Sequence, residues 1–321
     1  MKTRNILLAS LLSCMTCLVT CSASMAGYVV GWGLNSTGQT TVPTGSDFVA
    51  IAAGNAHSLA LRTDGSLVGW GVYTYGNTVV PAGNDFVAIA AGLDHSLALR
   101  SDGSLVGWGR NNYGQATVPA GNNFVAIAAG AWHNLALRSD GSLVGWGYNA
   151  FGQATVPAGN NFGTIAAGGF HSLALRSDGS LVGWGSNEEG QATVPAGNNF
   201  TAIAAGDTRS LALKSDGSLI SWGHNGFVQT PVPAGNNFVA IAEGGGHSLA
   251  LRSDGSLVSW GWNYYGQTTV PASSDFVAIA AGSWHNLAIQ VPEPTTLTLL
   301  ILGGISYFVA TSRTHLRRRG T

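Results

Sequence analysis

A Gly-Trp-Gly core, Ser-Trp-Gly in the last two of its seven copies, recurs along this chain with its tryptophan at Trp32, Trp70, Trp108, Trp146, Trp184, Trp222 and Trp260. Every step is 38 residues, without insertion or deletion. A fixed period of this size constrains the fold more than any local propensity, because each copy is one supersecondary unit that must stack on its neighbours. Although 321 residues could make two domains, the uninterrupted array from Tyr28 to about Val291 indicates one.

One unit, Phe124 to Asn161, reads as a meander. Phe124–Ala129 is short and apolar and ends at Gly130, the pattern of a strand buried on both faces. Its small Ala and Gly residues suit an innermost position near a crowded axis. His133–Arg138 is a second strand, Ser139-Asp140-Gly141 a tight turn, and Ser142–Trp146 a third strand. The chain then loops out through Tyr148–Gly152 and returns through Pro157, outside the sheet or at its edge, leaving room for at most a ragged fourth strand. No helical periodicity competes between Tyr28 and Gln290.

The two ends of the array are complementary. It opens on a third strand, Tyr28–Gly33, and stops after a second strand, His285–Gln290. The Asp-Gly turn occurs six times, at Asp64, Asp102, Asp140, Asp178, Asp216 and Asp254, and is missing only where the two ends would meet. Joining them completes seven units and leaves no free sheet edge at the join. The expected fold is all-β: a seven-bladed β-propeller closed by pairing of the N-terminal strand with the last blade, spanning residues 27–290.

The repeated AIAAG-x-x-HSLALRSDGSLVGWG resembles the regulator of chromosome condensation repeat over residues 28–290. The unit is shorter than that family's and closer to the three-stranded blades of a secreted β-lactamase inhibitor built from such repeats. The resemblance implies a propeller and, through the second relative, a secreted enzyme inhibitor or decoy as one alternative function. The founding member's nucleotide-exchange activity is not expected, because both ends of this chain read as export signals.

Residues 1–26 have the Lys2/Arg4 start, the apolar run Ile6–Val19 and the small-residue site Ser24-Met25-Ala26 of a secretory signal. A competing lipoprotein signal would use Cys21, behind an ill-suited Thr20. Residues 291–321 hold Val291-Pro292-Glu293-Pro294, an apolar run over Leu297–Ala310, and Arg313, Arg317, Arg318 and Arg319. This order resembles the PEP-CTERM sorting signal of exopolysaccharide-producing bacteria. It implies export, transient membrane anchoring and an exosortase-type processing enzyme as partner; a plain C-terminal anchor is the alternative. The expected location is the periplasm, outer surface or extracellular matrix.

Charge and cysteine content agree with that location. Between Gly27 and Pro294 there are 8 basic and 15 acidic residues, a net of −7, which argues against a nucleic-acid partner. Cys14, Cys17 and Cys21 all lie in the signal segment, so the processed array has no thiol, disulfide or cysteine metal site.

Both loops that vary between copies belong on one face, and the near-constant Asp-Gly turns on the other. The variable loops carry Tyr113, Trp132, Tyr148, Phe151, Phe170, Trp262, Tyr264, Tyr265 and Trp284, with Glu188 and Glu189 in the fifth copy, counting from Trp32. Amphipathic aromatics of this kind serve carbohydrate platforms and protein interfaces, or pack locally between loops. This face is the expected ligand-binding site, for an extracellular polysaccharide or a surface protein. His57, His95, His133, His171, His247 and His285 share one repeat position, with Arg209 in the seventh. A ring so wide cannot gather one ion, so each histidine is expected to bond its own loop backbone. The tryptophans and Phe48, Phe86, Phe124, Phe162, Phe200, Phe238 and Phe276 are expected as core between units. Adjacent His-Ser residues point to opposite faces and cannot form a nucleophile–base pair with each other. One carboxylate per Asp-Gly turn is too few for calcium. No catalytic residue, metal or cofactor is expected, a hydrolase or lyase working at the propeller mouth being the remaining alternative, and the protein is expected to be a monomer.

Overall fold

The computed structural model describes residues 26–226 and 232–291. The proposed signal segment before residue 26 and the sorting segment after Val291 lie outside the described residues. Among the described residues there are no helices, and 21 strands form seven three-stranded antiparallel sheets. Units are counted below by their phenylalanine, from Phe48 in the first to Phe276 in the seventh.

In the third unit, strand β8 (Phe124–Ala129) pairs with β9 (His133–Arg138), which pairs with β10 (Leu143–Gly147). The turn between β9 and β10 needs Gly141 at φ 82°, where an L side chain is strained. A Cβ there would also lie 2.2 Å from the Asn160 carbonyl oxygen. Asp140 fixes the same turn by accepting from the Ser142 hydroxyl at 2.7 Å and its backbone N–H at 2.9 Å. These two bonds hold the Asp140 carboxyl below the usual carboxylate range. The turn also ties units together, because the Phe162 N–H of the next unit donates to the Gly141 carbonyl at 3.1 Å.

The seam uses the same contact without the turn. Strand β1 (Tyr28–Gly33) pairs antiparallel with β21 (His285–Gln290), in register from Tyr28↔Gln290 to Gly33↔His285, and β21 pairs with β20 (Phe276–Ala281). The Phe48 N–H donates to the Gly27 carbonyl at 3.1 Å, so Gly27 stands where a turn glycine stands elsewhere. A Cβ on Gly27 would lie 2.2 Å from the Gln290 carbonyl oxygen.

Apolar packing lies between sheets rather than within them. Leu135, Leu137 and Leu143 of the third unit bury against Phe162, Ile165 and Ala174 of the fourth. Val29, Leu287 and Ile289 do the same against Phe48 and Ala60 of the first. The seven phenylalanines are 0–4% exposed, as a core position requires. Two expectations need correction. The tryptophans pack against the clusters between units but are only half-buried, because they sit on the outermost strand. There the indole Nε1 of Trp32, Trp70, Trp108, Trp146, Trp184 and Trp222 donates to the carbonyl of a return segment, as Trp146 does to Gln115 at 3.1 Å. The first strand is not buried on both faces: the register slips between Phe124 and Ala126, and the bulge turns Val125 outward, to 37% exposure. The return segment forms no fourth strand.

Candidate functional site

Two side-chain systems lie at the end of the units that carries the variable loops. The inner one is built from the repeated histidines, all fully buried. Each ring reaches across to the next unit instead of bonding its own loop backbone. Nε2 of His57 meets Ser96 Oγ at 3.0 Å, and the pattern repeats for His95–Asn134 at 2.7 Å, His133–Ser172 at 2.9 Å, His171–Ser210 at 2.9 Å and His247–Asn286 at 2.8 Å. His285 meets Ser58 at 2.9 Å, joining the seventh unit to the first. Loop geometry explains the correction: each histidine packs over its own loop glycine, which leaves Nε2 facing the neighbouring strand. A Cβ on Gly54 would lie 2.4 Å from His57 Cε1 and 2.6 Å from the Gly92 carbonyl oxygen. We therefore expect Gly54→Ala to destabilise the protein by about 1–3 kcal/mol through overpacking, read as a lower midpoint in denaturant.

The partner chemistry fixes the tautomer. Ser58 donates its own hydroxyl proton to the Gln39 carbonyl at 2.9 Å, and Asn134 donates Nδ2 to the Gln115 carbonyl at 2.8 Å. Each must then accept from a histidine Nε2–H. These His–Ser contacts are thus the reverse of a nucleophile and its base, and they are closed to solvent. Burial lowers the histidines far below 6.5, to about 3 for His57, His133 and His285 and about 4 for His171 and His247. They remain neutral at any ordinary pH. Among the described residues, no group of three or more His, Cys, Asp or Glu is placed to hold a metal ion.

The fifth unit departs from this pattern. Arg209 replaces histidine, and in the sixth unit Glu243 stands where the other units have alanine. Arg209 Nη2 lies 2.6 Å from Glu243 Oε2, both side chains being at most 1% exposed. Nη2 also donates to the His247 carbonyl, and Glu243 Oε1 accepts from Ser248 Oγ at 2.8 Å. Burial pushes the Glu243 carboxyl up, against the opposing pull of Arg209. The Ala-Gly loops of six units and the Glu243-Gly244 loop of the sixth unit, with Asp207, line a central cavity of about 90 Å³, too small for a drug-sized organic ligand.

The outer system is aromatic. Tyr113 touches Trp132 (centroids 5.9 Å apart) and Tyr148 (4.8 Å), and Tyr148 touches Phe151 (6.4 Å) and Phe170 (5.9 Å). Arg110 extends this ladder, its guanidinium 4.4 Å from the Trp132 ring centre and 5.0 Å from that of Tyr75, with Asp94 at 3.3 Å. A second cluster joins Trp262 to Trp284 at 5.0 Å, Trp284 to Tyr265 at 6.2 Å and Tyr265 to Tyr264 at 4.9 Å. Trp132, Tyr148, Phe170, Trp262 and Trp284 are half-buried by these contacts, whereas Tyr113, Phe151, Tyr264 and Tyr265 are exposed. Glu188 and Glu189, both exposed and on the outer loop of the fourth unit by the present count, are separate from either cluster, and Glu189 lies 3.3 Å from His224. The loops that carry these rings are stapled from below. Asn149 Oδ1 accepts from the Ala154 N–H at 2.8 Å, and the buried Gln153 Oε1 accepts from the Phe151 N–H at 3.0 Å. Neither staple was evident from residue type, although the Asn-x-x-Gly-Gln spacing that recurs between copies marks it.

Repeated three-stranded antiparallel blades with these internal signatures define a class of β-propeller proteins. The regulator of chromosome condensation (RCC1) repeat matches at residues 48–77, 86–115, 124–153, 164–191, 200–229 and 238–267. The chain belongs to that family. Similar solved structures include Prp20p from Saccharomyces cerevisiae, a protein studied for its binding to Gsp1p and histones (TM-score 0.74, 20% identity, 88% of this chain and 95% of that one). Human WBSCR16 (TM-score 0.69, 19% identity, 83% and 99%) and the ectodomain of the Physcomitrella patens receptor kinase CR4 (TM-score 0.65, 24% identity, 77% and 71%) are also similar. At these identities the likeness speaks for the fold. No curated protein matches the chain.

Proposed function

We propose that this protein is an exported, non-enzymatic binding scaffold: a closed ring of seven blades over residues 27–290 that presents its aromatic loop face to an extracellular polysaccharide or surface protein. The observation that carries this reading is the ring-to-ring continuity of Tyr113, Trp132, Tyr148, Phe151 and Phe170 across successive units, with exposed rings among them. Closure is supported by the β1–β21 pairing and the His285–Ser58 bond. In this reading residues 1–26 direct export and residues 291–321 are a PEP-CTERM-like sorting segment handled by an exosortase-type enzyme, with transient membrane anchoring. The processed protein is a monomer and uses no cofactor, metal or nucleic acid.

Combined Tyr113→Ala, Phe151→Ala and Tyr264→Ala substitution tests the face, because all three rings are exposed and their loss leaves the inter-unit core intact. Binding to matrix polysaccharide or surface-protein fractions should fall at least about tenfold, with the thermal midpoint little changed. Binding equal to that of the unaltered protein would remove this face from consideration.

A further inference from the structure

The charge on this face narrows what can dock there; the inference rests on the reading above. The variable loops carry four carboxylates, Asp94, Glu188, Glu189 and Asp207, and two guanidinium groups, both already engaged. Arg110 is enclosed between two rings and paired with Asp94, and Arg209 is buried against Glu243. Glu188, Glu189, which lies 3.3 Å from His224, and Asp207, at the central cavity, are exposed, in the fourth and fifth units, with aromatic loops in the units on either side. An anionic polymer would meet these carboxylates with no unengaged arginine or lysine among the described loop residues to receive it.

Ring orientation distinguishes peptide from glycan. The contacting aromatic pairs are inclined at 57–90°, so neighbouring edges cover ring faces that a flat sugar would stack on. Tilted rings leave notches suited to apolar side chains and to the methylene stems of lysine or arginine. We propose that this face takes a cationic, apolar segment of a partner protein, whose basic groups meet Glu188, Glu189 and Asp207 while its apolar side chains enter the flanking aromatic sectors.

The test uses the intact chain and four defined probes: an immobilised Lys/Leu/Trp peptide, its Glu-for-Lys counterpart, a polyuronate and a neutral β-glucan. The cationic peptide should bind best, and more weakly at high salt. The triple variant Glu188→Gln, Glu189→Gln, Asp207→Asn should weaken that binding roughly tenfold with an unchanged circular dichroism spectrum. Tyr113→Ala with Tyr264→Ala should weaken it independently. Should the aromatic substitutions matter while the carboxylate substitutions do not, or should the polyuronate or glucan bind best, the cationic-segment proposal fails and the aromatic face stands. Binding indifferent to both sets of substitutions overturns the face as well.

Discussion

Acidification from pH 7 to below about pH 4.5 should unfold this protein in one cooperative step, with most of the stability lost before ordinary carboxylates begin to titrate. Six fully buried histidines are held neutral, with folded values lowered to about 3 or 4 where resolved and lowered also at His95, against 6.5 when exposed. The unfolded chain therefore binds more protons than the folded one throughout that interval. Stability is complete above about pH 6.5 and falls as the pH drops toward the folded values. At pH 5 each of His57, His133, His171, His247 and His285 costs about 2 kcal/mol, and the five together cost on the order of 10 kcal/mol, comparable to the whole stability of a typical domain. Glu243, raised by burial, acts in the opposite direction, but one group does not offset the histidines. Thermal midpoints measured across pH 7 to 4 should fall steeply, and a single His133→Gln substitution should reduce the slope by about one proton. A midpoint that stays level down to pH 4.5 would refute the buried, neutral assignment.

The histidines also show where sequence reasoning ran out. Their 38-residue period placed them at one level of the repeat, and their number argued against a single metal or a nucleophile. Their partners could not be read, because five lie 39 residues away and that of His285 lies 227 residues away, each on a neighbouring unit, a relation that exists only once the sheets are packed. The Asp-Gly turns and the complementary chain ends were legible because they depend on local backbone geometry and on counting strands. The aromatic loops were legible as a set, but their sorting into half-buried rungs and exposed rings depends on contacts between loops. Depth of burial for the tryptophans was misjudged for a related reason. Composition gives size and apolarity, whereas an outermost strand leaves one side of the indole open. Glu243 was detectable in principle, as the single acidic residue in a column otherwise filled by alanine, coinciding with the single arginine in the histidine column.

That coincidence leads to the second large effect, in which two substitutions together should cost far less than either alone. Glu243→Ala leaves the Arg209 guanidinium buried without a counter-charge, and Arg209→His leaves Glu243 buried beside a neutral ring. Each should destabilise the protein by about 3–5 kcal/mol, because an unpaired buried charge bears its desolvation without recompense. The double variant recreates the arrangement of the other units, a neutral histidine across from Ser248 and an alanine on the inner strand. In the native protein Ser248 Oγ is held by Glu243; once that carboxylate is gone it can accept from a histidine Nε2–H, as Ser210 does from His171. A buried ion pair exchanged for a well-packed neutral contact is often close to neutral in stability, so the double variant should recover to within about 1 kcal/mol of the native protein. Denaturant midpoints for the four proteins, with unchanged m-values, measure this directly. Additive losses in the double variant would mean that the pair is held by backbone contacts peculiar to the fifth and sixth units. Recovery would identify Arg209 and Glu243 as one coupled replacement, tolerated in an array whose other histidine contacts keep to a single pattern.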